Sequence, residues 1–196
     1  MLDRIMGVIT LKAPIYRQIA DDKNDTMNAA IIVVVARLVS GFFSGLVSVD
    51  STGGASANIV AAVITAILTV IVGLIAWVIS AWVLAFVAKA LGGKTDTSEM
   101  LRVTGYVEIF SLVGVLSVLG LITPALLCVV GIIGFIAAIL RLIGYVIGVR
   151  EAAEFSTTNA IITAVIAAVV NFIIFAVIFG ALFAVFAGTM MVAGAH

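Results

Sequence analysis

The chain has 196 residues, of which 64% are hydrophobic and only 10% charged, whereas a soluble domain is about half apolar and about a quarter charged. Ten Lys and Arg balance ten Asp and Glu, so no global field draws in nucleic acid. The composition excludes a water-soluble domain and predicts one all-α membrane domain.

The N-terminal stretch, residues 1–26, mixes Asp3, Arg4, Lys12 and Arg17 among apolar residues, a pattern unlike a cleaved signal peptide. Leu2, Ile5, Met6 and Ile9 recur at helical spacing, and Pro14 separates them from Ile15 and Ile19. This reads as an amphipathic segment on the membrane surface, either a plain anchor or a membrane-shaping element. Residues 27–196 then form the membrane domain. A span needs about 20 apolar residues, which places the spans at about 27–49, 58–88, 103–122, 125–149 and 159–186.

The breaks between them are polar or turn-forming. Asp50 to Gly54 is a loop, Gly92 to Arg102 is the longest polar segment, and Thr123 and Pro124 stop the third helix. Arg150, Glu151, Glu154, Ser156, Thr157 and Thr158 make the last break. Gly92 and Gly93 read as a helix stop, with Thr97, Ser98 and Glu99 opening the third helix. Trp77 and Trp82 fall near the end of the second span, where indole rings suit the membrane interface.

Short cytoplasmic loops collect Lys and Arg. With the N-terminus inside, Arg4, Lys12, Arg17, Lys23, Lys89, Lys94, Arg102 and Arg150 are all cytoplasmic, and the two outer loops hold no Lys or Arg. The sequence thus predicts a cytoplasmic N-terminus and an external C-terminus.

Catalytic chemistry finds no foothold. The only histidine is His196, the only cysteine is Cys128 within an apolar run, and every aspartate lies outside the spans. Serine, cysteine and aspartyl hydrolysis, metal sites and haem all lack their side chains, and Cys128 reads as a buried, inert apolar residue. Gly92-Gly93-Lys94-Thr95 superficially resembles the end of a phosphate-binding loop, but neither the first glycine nor a preceding strand is in place. The expectation is a protein without cofactors or enzymatic activity.

Polar groups within spans mark functional candidates, here Arg37, Glu108, Arg141 and Asn171. Arg37 and Glu108 are expected to form an ion pair that Arg141 can join, because side chains on both of their helices lean the same way. Close helix approach is suggested by small residues four apart: Gly41 and Gly45, Gly144 and Gly148, and Gly180, Ala184 and Gly188.

Three short motifs carry a resemblance: Pro14-Ile15-Tyr16-Arg17; Leu91-Gly92-Gly93-Lys94 followed by Leu101-Arg102-Val103-Thr104-Gly105-Tyr106; and Ile147-Gly148-Val149-Arg150-Glu151-Ala152. In this order around five apolar runs, they resemble the Yip domain family, whose eukaryotic members are Rab-interacting five-span proteins of the early secretory pathway. The resemblance implies a five-helix bundle with a cytosolic N-terminus and an interaction surface on the cytoplasmic side, for which Lys94, Arg102, Tyr106, Arg150 and Glu151 are the candidates. The short N-terminal segment is similar to that of compact bacterial or archaeal members, which implies the plasma membrane of such a cell.

The expected function is to organise partner proteins or membrane, as a scaffold, accessory subunit or membrane-shaping protein. Its expected partners are membrane lipids and a membrane or cytoplasmic protein, with a homodimer or larger complex open. The alternative is transport of a small solute, ion or lipid past Arg37, Glu108 and Arg141.

Overall fold

A computed structural model describes the backbone of residues 1–193 and the side chains of residues 1–177. Gly180, Ala184, Gly188 and His196 lie outside the residues whose side chains are described.

Two short helices open the chain, α1 (Leu2–Ile9) and α2 (Ala13–Asp21), the second started by a proline in its first turn. The turn between them puts Leu11 in the left-handed region at φ 54°. The first long helix, α3 (Asp25–Leu46), ends earlier than the apolar run suggests. Val47–Val49 instead forms β1, paired antiparallel with β2 (Ala55–Ala57). Asp50 closes this hairpin by accepting from the Thr52 amide at 2.9 Å, the Thr52 hydroxyl at 2.7 Å and the Gly54 amide at 2.8 Å. Those bonds hold the Asp50 carboxyl below its ordinary pKa, the Thr52 hydroxyl first among them.

Helix α4 (Ile59–Ala90) is capped by Asn58, whose side chain accepts from the Ala61 amide. It stops at Gly92, at φ 85°. Helix α5 (Thr97–Val107) begins with a capping box made by Asp96 and Glu99, so the third helix opens at Thr97, ahead of its apolar run.

At Glu108 the winding changes to a 3-10 helix that continues to Leu121, where an uninterrupted α-helix was expected. Such runs rarely exceed a few residues. The cause is legible in the side chains: Glu108, Ser111, Gly114, Ser117 and Gly120 recur every third residue, which stacks them on one face at three residues per turn. Ser111 and Ser117 donate back to the carbonyls of Glu108 and Gly114 at 2.7 and 2.8 Å. Gly114 on that face admits α3, since a Cβ there would lie 2.9 Å from the Ser40 side chain, and Gly120 admits Leu127, 2.7 Å from an added Cβ.

Helices α6 (Leu126–Ala153) and α7 (Thr157–Ala193) complete the chain. Among the described residues, five helical segments are long and apolar enough to cross a membrane: Asp25–Leu46, Ile59–Ala90, Thr97–Leu121, Leu126–Ala153 and Thr157–Val177. The large apolar side chains they leave exposed, such as Ile64, Ile67, Ile71, Phe135 and Phe172, are what lipid covers.

The protein core lies toward one end of the bundle, where Val8, Tyr16, Ile19, Ala29, Ala81, Val103, Val107, Val149 and Ala160 are buried together. We call this the charged end, because Arg4, Asp22, Asp25 and Arg102 lie there. Trp77 belongs to this core rather than to an interface. It is buried because its Nε1 donates to the Thr104 hydroxyl at 3.0 Å. Trp82 is exposed and stacks on Phe86. Cys128 is also exposed, contrary to expectation, because it lies on an outward face of α6 at the other end.

The glycine pairs are taken up inside the chain. A Cβ at Gly45 would press on the Thr65 side chain of α4 at 2.7 Å, and Gly41 faces Thr69 and Ala66 of the same helix. Gly144 and Gly148 leave room for Tyr16, whose Oη and Cδ1 would stand 3.0 and 3.4 Å from the added Cβ atoms.

Candidate functional site

Two polar assemblies stand out, one at the charged end and one within the spans. The first clasps α1 and α2 onto the bundle. Arg4 pairs with Asp22 at 2.9 Å and with buried Asp25. Tyr106 donates to the other Asp25 oxygen at 3.1 Å. Arg102 donates through both Nε, at 2.9 Å, and Nη2 to the Ala20 carbonyl. That carbonyl belongs to the last turn of α2, where backbone acceptors have no helical partner and a cation is favoured.

The same device works in reverse on α6. Arg17 of α2 donates to the Glu151 carbonyl at 3.0 Å, in the last turn of α6, and pairs with Glu154 at 2.7 Å. Glu154 caps that helix in the left-handed conformation at φ 54°, a position usually given to glycine or asparagine. The Arg17 guanidinium is held above its ordinary pKa by its bond to Asp21 first. Arg4 holds the Asp22 carboxyl below its own.

The expected interaction surface divides. Arg102 and Tyr106 are not on a surface: they are 4% and 0% exposed, because α2 lies over them and supplies the carbonyl and the route to Asp25 that their polar ends require. Lys94 is exposed, and Arg150 and Glu151 are half-buried and paired with each other at 2.6 Å.

The second assembly brings together Arg37, Glu108 and Arg141. Glu108 is 2% exposed and sits between two guanidiniums. Arg37 Nη2 lies 2.7 Å from Oε2, at ion-pair distance but out of line for a hydrogen bond, while Arg141 Nη2 donates to Oε1. Tyr145 donates to that same oxygen at 2.9 Å, and the Arg141 guanidinium lies over its ring, 5.5 Å from the centroid.

Each member is positioned by a local device. Arg37 passes over Gly73 of α4, where a Cβ would stand 3.0 Å from its Cγ. Glu108 is the residue at which the third span changes its winding. Arg141 and Tyr145 are one turn apart on α6. Sequence reasoning missed Gly73 and Tyr145, and Tyr145 was accessible through its i, i+4 spacing from Arg141.

The cluster carries two formal positive charges against one negative. Breaking such a pair leaves an uncompensated buried charge, so the carboxylate is the group on which the whole arrangement depends. Asn171 of α7 does not join it directly. It lines a 230 Å³ pocket between α4, α6 and α7 together with Arg141, Tyr145 and Ser80, and its Oδ1 is buried with no hydrogen-bond partner. Among the described residues no group of three His, Cys, Asp or Glu side chains is placed to hold a metal.

The family model for the Yip1 domain matches residues 6–179, a stretch that contains both assemblies except Arg4. None of the curated proteins and none of the solved structures compared with the chain matches it.

Proposed function

The chain belongs to the Yip1 domain family, and on that premise we propose that it is a non-enzymatic membrane protein that organises partner proteins or the membrane itself from its charged end. In this reading the charged end faces the cytoplasm, an orientation that the distribution of Lys and Arg favours, and the membrane is the plasma membrane of a bacterium or archaeon.

The observation that carries the proposal is the clasped pair α1 and α2. Buried contacts to Asp25 and the Ala20 carbonyl fix them on the bundle, yet α1 turns Leu2, Met6 and Ile9 outward with no protein over them. An amphipathic helix held in this way lies in the plane of the leaflet and presents a fixed platform. Lys94 and the Arg150–Glu151 pair stand on the same end of the molecule. Support over transport comes from Glu108, whose oxygens are both committed to guanidiniums, a closed arrangement rather than an open polar path.

The test is purification in mild detergent from the native membrane. Wild type is compared with a Leu2→Ser, Met6→Ser, Ile9→Ser triple variant and with Lys94→Glu. The proposal expects a protein retained by wild type and lost by at least one folded variant. Equal recovery by all three, together with solute flux in proteoliposomes that Arg141→Gln abolishes, would replace it with transport.

A further inference from the structure

A groove runs between the 3-10 segment and α6, with a cavity volume of about 350 Å³, bordered by Phe110, Ser111, Gly134, Ala137, Ala138 and Arg141. Its floor is made of small residues, and at Gly134 an added Cβ would meet nothing within 4 Å. One end of this apolar channel carries a guanidinium. The shape suits a single hydrocarbon chain with an acidic head.

Charge points the same way. Arg37 and Arg141 share one carboxylate, leaving one formal positive charge uncompensated, and the Nε of each is buried without a hydrogen-bond partner. Of the two arginines, Arg37 is threaded between α3 and α4 against Gly73, while Arg141 borders the groove. The missing anion is therefore expected at Arg141.

Depth is compatible with a lipid headgroup. Tyr145 and Trp82 each lie eight residues before the end of their helices, Ala153 and Ala90, hence about 12 Å along the axis at 1.5 Å per residue. Aromatic rings at one level mark a membrane interface. The α1 helix, with its outward Leu2, Met6 and Ile9, packs against the 3-10 segment, and such helices lie about 5–10 Å into the headgroup and acyl boundary. Arg141 is one turn deeper than Tyr145, within reach of a phosphate at that boundary. From there Ala138, Ala137 and Gly134 follow toward the bilayer centre, the direction an acyl chain takes.

We propose that this groove is a binding site for an anionic phospholipid, whose phosphate lies on Arg141 and whose acyl chain runs over Ala138, Ala137 and Gly134. The inference does not depend on the organising role proposed above. It assigns to Arg141 a resident lipid in place of a transported solute, ion or lipid.

The test uses the full chain in a neutral detergent and reads thermal unfolding during titration with dioleoylphosphatidylglycerol, dioleoylphosphatidylcholine or inorganic phosphate. Gly134→Leu fills the groove without touching the ion cluster, Ala138→Leu does so one turn nearer the head, and Gly131→Leu is the control, since Gly131 is equally open but does not border the groove. The expected result is a saturable rise in Tm with phosphatidylglycerol only. Apparent affinity should fall tenfold or more in whichever groove variants fold and stay within twofold in the control. Equal stabilisation by phosphatidylcholine would remove the role of Arg141, and an equal effect of inorganic phosphate would make this a free-anion site. Unchanged affinity in the folded groove variants would place the lipid elsewhere. Any of these overturns the proposal.

Discussion

The two ends of the bundle are built on different principles. At the charged end, α1 and α2 pack on α5 and α2 on α6, Arg4 ties α1 to the start of α3, and side chains from Val8 to Ala160 are sealed from solvent. At the other end, α6 packs on the 3-10 segment, where a Cβ at Gly120 would meet Leu127 at 2.7 Å, and leaves the rest of its surface open: none of its most apolar window is buried within the protein, against 39% for the third span, and Gly131 and Gly134 face open space. Hydrophobic burial cannot specify a fold where lipid is as apolar as the side chain, so polar pairs and close backbone approach must do so. The polar pairs are concentrated in the half of the bundle nearer the charged end, while close backbone approach, of Gly41 and Gly45 on α4, joins the helices toward the far end.

The sharpest break in this contrast is Glu108→Leu. It leaves two guanidiniums uncompensated and is expected to destabilise the protein by about 3–5 kcal/mol, seen as a large fall in Tm in detergent. Adding Arg37→Leu should restore part of the loss, and strictly additive losses would mean that the two residues act independently.

Next in size is Arg102→Leu, which removes the charged donor from the Ala20 carbonyl. About 1.5–3 kcal/mol of local stability should disappear, confined to the clasp, so amide exchange should accelerate in residues 13–24 and stay slow in α4. Uniform acceleration would show that the clasp does not open separately.

Glycines sharpen the contrast further. Gly144→Ala drives a Cβ toward the Tyr16 hydroxyl at 3.0 Å and should cost about 1–3 kcal/mol. Gly131→Ala meets nothing and should gain up to about 1 kcal/mol through helix propensity. Equal effects at both positions would erase the difference between the two ends.

The smallest effect is a pH response of the clasp. The Asp22 carboxyl is held below its ordinary pKa by Arg4, so folding favours the ionised form. This contribution is complete above the unfolded aspartate value of about 3.9 and is lost as the pH falls through the lower folded value. Protease sensitivity of the α1–α2 region should therefore rise below about pH 4 and be unchanged between pH 5 and 7.

How much of this was readable in advance varies with the range of the interaction. The five apolar runs are set by local composition, and their existence follows from 20-residue windows alone. The boundaries follow only in part: Thr97, Ser98 and Glu99 read as a helix opening, which the Asp96–Glu99 capping box makes, whereas Val47–Val49 looks like helix until its pairing partner is known. The period of three from Glu108 to Gly120 was visible but hidden in a segment apolar on every side, where no helical period announces itself. Arg37, Glu108 and Arg141 could be nominated as polar residues within spans, and lean directions suggested that the first two meet. Arg102 and Tyr106 were misplaced on the surface because their partners, Ala20 and Asp25, lie 82 and 81 residues away, a distance that neither composition nor spacing reports.

The central claim is that the packed, charged end is the working end and faces the cytoplasm. Single-cysteine labelling in intact cells tests it, in a Cys128→Ala background because Cys128 is itself exposed. Ser51→Cys, in the hairpin turn, should react with an impermeant thiol reagent added outside, and Lys94→Cys should react only after permeabilisation. Labelling of Lys94→Cys from outside, with Ser51→Cys protected, would contradict the account.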